Sequence, residues 1–340
     1  MAAALAEDRN PPDESVAFRH ASLRFAVGTT GAFVLSEAMG WNPTFLAPLL
    51  AAVLIAKLPA SPPLKVGLGL VVVQAAGAYA AYALTALMHE TPTVLFGAIA
   101  VIILLCFANL ARGRGYLPLL QVLISFATIP VVTMLAPQEA SPLPFAFARA
   151  IAVAVMFLWV VHYFWPKLGS VEPPPPAVTL EDPIRLALTG TAIVMPLMLV
   201  YLMYSIADAL PILITTLVLI INFDPQKSSV QSVAMVIANF LGGMVALVAH
   251  SILLVAPSLA TFALVVFVIS ALFGVQINRG GSSGAVALVT FNQSIVMFGL
   301  ALTKDSGLGV WGTRLFQFMI AGVFAVGMMS LLFRAPRARR

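Results

Sequence analysis

The chain has 340 residues, 61% of them apolar and 9% charged, with a mean hydropathy of +1.02 and a net charge of +5. A water-soluble domain carries about 25% charged residues, so this chain cannot cover a globule with polar surface, and lipid has to be the solvent for most of its exterior. The basic residues stand singly between apolar stretches, which excludes a nucleic-acid face, and the one cysteine, Cys106, excludes a disulfide framework or a cysteine metal site.

The opening MAAALAEDRNPPDESVAFRH is polar and holds no apolar h-region, so the sequence predicts a cytoplasmic tail over 1–21 and no cleaved signal peptide. A spanning helix needs about 20 apolar residues. Twelve stretches are candidates: 22–39, 44–58, 66–88, 92–110, 117–136, 144–165, 183–205, 209–223, 230–254, 257–276, 283–302 and 310–333. The second and eighth are short. Lipid admits only helices or closed barrels, because each backbone N–H and C=O must be satisfied within the protein. These runs are too long and too continuously apolar for alternating barrel strands. The expected fold class is all-α, a polytopic membrane protein with about twelve transmembrane helices.

The longest polar interruption, KLGSVEPPPPAVTLED over 167–182, carries four consecutive prolines and reads as an extended cytoplasmic linker. It separates two stretches that look alike, 22–166 and 183–334, the second followed by a basic cytoplasmic tail over 335–340. LRFAVGTTG from Leu23 is matched by IRLALTGTA from Ile184, and APLLAAVLIAKLPASP from Ala47 by LPILITTLVLIINFDP from Leu210. Arg112-Gly113 after the fourth span corresponds to Arg279-Gly280 after the tenth, and Arg149 in the sixth to Arg314 in the twelfth. Two tandem six-helix repeats are the expectation. Six is even, so both insert the same way up, related by an axis along the membrane normal.

Of the 18 basic residues, Arg149, Lys304 and Arg314 fall on one side of the membrane and all the others on the opposite side. Basic loops stay inside, so both termini are expected in the cytoplasm. Trp41 and Trp311 fall at periplasmic interfaces, and Tyr163-Phe164-Trp165 at a cytoplasmic one, with His162 in the same aromatic belt.

Short or proline-interrupted spans at matching places in two halves point to a binding site in repeat-built transporters. The second and eighth spans have early prolines, Pro48 and Pro211, and end in Pro59 and Pro225. Proline removes a backbone donor and frees carbonyls of the preceding turn. These spans read either as a substrate site or as tilted packing helices. Arg149 and Arg314 are candidate substrate-binding cations or partners of Glu37 and Asp208; otherwise they snorkel to lipid phosphates. Glu37, Asp208 and Asp224 are candidate proton-coupling groups, the first two reading equally as interfacial carboxylates and Asp224 as a turn residue. Gln74, Gln121, Asn239, Asn292, Gln293 and Gln317 are amides at membrane depth, most of them accounted for by interhelical hydrogen bonds. Asn292, Gln293 and Gln317 are the candidates for lining a substrate cavity, Gln317 because it follows Arg314 by three residues on one helix face. GSSGA from Gly281 looks like a rhomboid serine motif, but that dyad needs a later histidine and the last one is His250. No protease, no other enzyme and no cofactor is expected. No ATP-binding loop occurs either, so an ion gradient is the expected energy source.

The residues LRFAVGTTGAFVLSEAMGWNPTFLAPLLAAVLIAKLPASPP, the second-half opening DPIRLALTGTAIV and an arginine early in the sixth span of each half carry a resemblance. The chain is similar to the fusaric-acid-resistance (FUSC-like) superfamily, which includes aromatic-acid exporters, and within it to short, membrane-only members of unknown function. The resemblance implies a bacterial inner-membrane protein that exports small organic, often aromatic, carboxylate anions with a periplasmic adaptor (membrane fusion) subunit. The major facilitator signature is absent from the Lys57–Lys65 loop, which has no aspartate and no arginine pair. The expected function is a proton-coupled secondary exporter in the lipid bilayer, with no nucleic-acid partner and with a homo-oligomer left open. The alternative is a non-transporting scaffold or assembly subunit.

Overall fold

The computed structural model describes residues 14–168 except Pro59, then 183–204, 213, 214, 217, 229–303, 312, 316, 323, 324 and 327. Among these there is no strand. The helices are α1 (Glu14–Ala38), α2 (Leu46–Lys57), α3 (Leu64–Met88), α4 (Pro92–Ala111), α5 (Tyr116–Leu135), the single turn α6 (Pro137–Ala140), α7 (Leu143–Phe164), α8 (Pro183–Met203), α9 (Ser229–Val255), α10 (Leu259–Asn278) and α11 (Gly281–Thr303). Six of them, α3, α4, α5, α7, α10 and the stretch Gly281–Leu302 of α11, are long and apolar enough to cross a bilayer. Large apolar side chains such as Leu87, Val72, Leu264 and Leu272 stand exposed on their outer faces. Only lipid solvates such faces at this density. The chain is a multi-pass membrane protein.

Two helices differ from the expected spans. α1 starts at Glu14, eight residues before the apolar stretch that begins at 22. The added turns carry Glu14, Ser15, Arg19 and His20, and His20 Nδ1 lies 3.4 Å from the Pro166 carbonyl just past α7; one turn into the expected span, an Arg24 guanidinium N–H donates to the Trp165 carbonyl at 3.0 Å. α2 has 12 residues and is buried on every side from Leu46 to Ile55. At about 1.5 Å per residue it falls well short of the roughly 30 Å hydrocarbon core. It is a half-span held inside the protein by α1, α7 and α11. Its full burial is compatible with either reading of the second span, a substrate site or a packing helix. The expected eighth and twelfth spans lie almost wholly outside the described residues.

Helix pairing makes one bundle. α1 lies against α2, α7 and α10; α3 against α5 and α7; α4 against α5 and α8; α9 and α10 against α11. The seam between α1, α10 and α11 is aromatic. Phe25 meets Phe291 edge-on at 4.9 Å, and Phe273 lies 5.9 Å from Phe291. Two turns further along, Phe33 meets Phe262 at 4.9 Å, and Phe262 stacks on Phe298 at 5.5 Å. Edge and offset ring pairs of this kind are favoured by the ring quadrupole. The α4–α5 and α10–α11 turns follow one plan: Gly113 and Gly280 both take φ +72° after an arginine, a conformation natural only to glycine.

Candidate functional site

The interior of the bundle carries its polar groups at the middle of α11. Asn292 is 2% exposed and Gln293 is fully buried, and among the described residues none of their four side-chain N and O atoms has a hydrogen-bond partner. Gln293 faces α9, where its Cβ and Cγ close over Gly242. Asn292 stands seven residues, about two turns, before Gly299, which abuts Thr44 and Phe45 at the start of α2. Asn292 therefore lies on the face of α11 turned to α2. The Thr44 hydroxyl, also buried, has no partner either. Each such group costs roughly 1–3 kcal/mol when left unsatisfied.

Gln74 is engaged through one of its two polar atoms; the buried Gln74 Oε1 and Gln121 Oε1 have no partner among the described residues. The Gln74 Nε2 on α3 donates to Ser125 Oγ on α5 at 2.9 Å, and Ser125 Oγ donates to the Gln121 backbone carbonyl one turn back on α5 at 3.0 Å. This is the interhelical hydrogen bonding expected of most membrane amides. Ser125 was not foreseen; its partner Gln74 lies 51 residues earlier, a separation that no local pattern carries.

At the opposite edge of the bundle, the Arg149 guanidinium lies over the Trp41 ring at 4.4 Å and 5.6 Å from the Phe145 ring centre. It makes no ion pair with Glu37 among the described residues, and Glu37 is half-buried in the last turn of α1. A cation held on aromatic faces keeps its N–H donors free around the ring plane. The geometry leaves both expectations for Arg149 open, a substrate-binding cation and a residue reaching to lipid phosphates. Trp41→Leu and Arg149→Gln, singly and together, are expected to show a coupling of about 0.5–1 kcal/mol in thermal unfolding in detergent. Strictly additive effects would dissolve the contact.

Pro48 sits in the first turn of α2, fully enclosed, where its missing N–H is one that the helix leaves unpaired anyway. It starts the half-span rather than kinking it. His162, expected in the aromatic belt, is instead buried, with its Nδ1–H donating to the Leu158 carbonyl at 2.8 Å; Tyr163 and Phe164 beside it are exposed. The hydroxyl of Ser283 is tied to the Gly280 carbonyl at 3.3 Å in the first turn of α11, as a turn residue would be. Arg314, Gln317, Asp208, Asp224 and Pro211 lie outside the described residues, as do the side chains of Arg185 and Asn239.

No curated protein and no solved structure matches the chain. Residues 21–161, which run from α1 through α7, are similar to the family described as "Protein of unknown function (DUF2955)".

Proposed function

We propose that the protein is a secondary exporter of small organic anions, aromatic carboxylates above all, built from two six-helix halves and about twelve spans. Reciprocal packing supports the halves. α1 of the first lies on α10, and its counterpart α8 lies on α4. In one interface Phe25 covers Gly274; in the other Phe107 covers Gly190, so the aromatic and the glycine trade places. The pairs α3–α5 and α4–α5 recur as α9–α11 and α10–α11. Gly77 on α3 packs against α5 and Gly242 on α9 against α11, and each follows an amide, Gln74 or Asn239, by three residues. The family match at 21–161 coincides with the first half.

The observation that carries the transport reading is the pair Asn292 and Gln293, buried and unpartnered next to the half-span α2. Short helices enclosed at membrane depth beside such groups belong to transporter sites, and costly polar groups in a membrane interior point to function. In this scheme the anion passes between the halves, meeting Asn292, Gln293 and Gln317, while Arg149 and Arg314 receive it at the periplasmic edge. Glu37 or Asp208 exchanges the proton, with Asp224 at the other end of the path, and the half-spans opening at Pro48 and Pro211 frame it. The resemblance to the fusaric-acid-resistance superfamily adds a periplasmic adaptor in the bacterial inner membrane, with both termini cytoplasmic.

The test is accumulation of a radiolabelled weak aromatic acid in cells with and without the protein. Cells that make it are expected to accumulate several-fold less, the difference vanishing with a protonophore and in Arg149→Ala plus Arg314→Ala at normal protein level. Equal accumulation with and without the protein, together with loss of a partner complex on deletion, would replace export with the scaffold reading.

A further inference from the structure

A cavity of about 500 Å³ lies between the ends of α2, α3 and α5, on the edge of the bundle opposite Arg149. Its polar part is Lys57 and Tyr116, with Lys57 Nζ 5.7 Å from the centre of the Tyr116 ring. Its wall is otherwise apolar: Leu58, Leu70, Leu117 and Pro118, with Val66 at the mouth. Val66 lies in the first turns of α3, where Leu64 is 63%, Val66 51% and Leu68 52% exposed. The two connections at this end of the bundle, 57–65 and 112–115, carry Lys57, Lys65, Arg112 and Arg114 and contain no Asp or Glu. Among the described residues Lys57 makes no ion pair, so its ammonium group keeps donors for an incoming anion.

We propose that this cavity seats an anionic phospholipid of the adjoining leaflet, its phosphate on Lys57 and the start of its acyl chain along Leu58, Leu70 and Leu117. Charge and shape together select this occupant. The cation is set among the basic helix ends and the apolar wall continues beside it to Leu70, further along α3, so that a charged head and an apolar chain find adjoining partners. Basic pockets between spans at a positively charged membrane edge are suited to acidic headgroups. A small hydrophilic anion such as inorganic phosphate would meet Lys57 but leave the apolar wall without a partner. The inference does not depend on the export reading, since a scaffold would hold the same lipid.

Purified protein in mild detergent, offered equal amounts of phosphatidylglycerol and phosphatidylcholine, is read by native mass spectrometry. Wild type is expected to retain phosphatidylglycerol in preference. Lys57→Gln should weaken that retention about fivefold, the effect of one basic residue at a membrane surface. Val66→Trp keeps the charge and fills the mouth, so it reports even where Lys57→Gln fails to fold; it should also lose the lipid, while Val72→Trp on the outer face of α3 should not. Undiminished phosphatidylglycerol in both Lys57→Gln and Val66→Trp would overturn the site. So would its displacement by millimolar benzoate, which would make the cavity one for a soluble aromatic acid.

Discussion

Replacing Asn292 and Gln293 together by leucine is expected to raise the melting temperature of the purified protein, or leave it unchanged, while export of aromatic acids falls at least tenfold. The two amides bury four polar atoms without a partner. Each unsatisfied group costs roughly 1–3 kcal/mol, and apolar groups of similar shape remove that cost. Leucine fills a comparable volume, so the exchange relieves a penalty without opening a cavity. Residues that lower stability persist where they serve a function, and here the function is to give a polar ligand something to bond inside the membrane. Melting in detergent and efflux from cells, measured on the same variant, separate the two effects. A drop of several degrees with intact export would make the amides structural and remove them from the substrate path.

Gly242→Leu is expected to deplete the folded protein from the membrane. A Cβ at Gly242 would stand 2.5 Å from the Thr290 carbonyl oxygen and 2.7 Å from the Gln293 Cβ. The first of these neighbours is backbone, which has no rotamer with which to give way. Small residues allow spanning helices to approach this closely, and inserting bulk at such a point costs about 1–3 kcal/mol or more. Gly97→Leu is the control, since a Cβ there meets nothing within 4 Å. It should accumulate and melt as wild type does. Equal yields of Gly242→Leu and Gly97→Leu would mean that α9 and α11 are not packed through Gly242.

The site was legible in part. Asn292 and Gln293 are legible in the sequence as two adjacent amides in the middle of an apolar run, but Gln74 and Gln121 stand in apolar runs as they do. What the sequence did not carry is that Gln74 Nε2 meets Ser125 on another helix, whereas neither amide of Asn292 and Gln293 has a partner among the described residues. The place of Arg149 early in its span was legible, but the Trp41 face beneath it required the α1–α2 loop to fold back over α7. Lys57 read only as a topology signal until α5 brought Tyr116 and Leu117 to its side.

Membership in the membrane class, the helical backbone and the rough placement of most spans were decided by the sequence alone. Each follows from a local sum: some 20 side chains whose transfer to lipid outweighs the cost of burying their backbone in helical form. Which face of each helix meets protein was decided only by the tertiary structure. On α4, Leu95, Ile99 and Ile103 are buried while Val94, Val101 and Leu105 are exposed, and all six are equally apolar. In water those two faces would differ in polarity. In a bilayer the lipid tail is as apolar as a neighbouring helix, so composition cannot tell them apart, and packing shape makes the choice. The same reason hid the enclosure of α2, whose twelve residues read like a short span until α1, α7 and α11 were found around it.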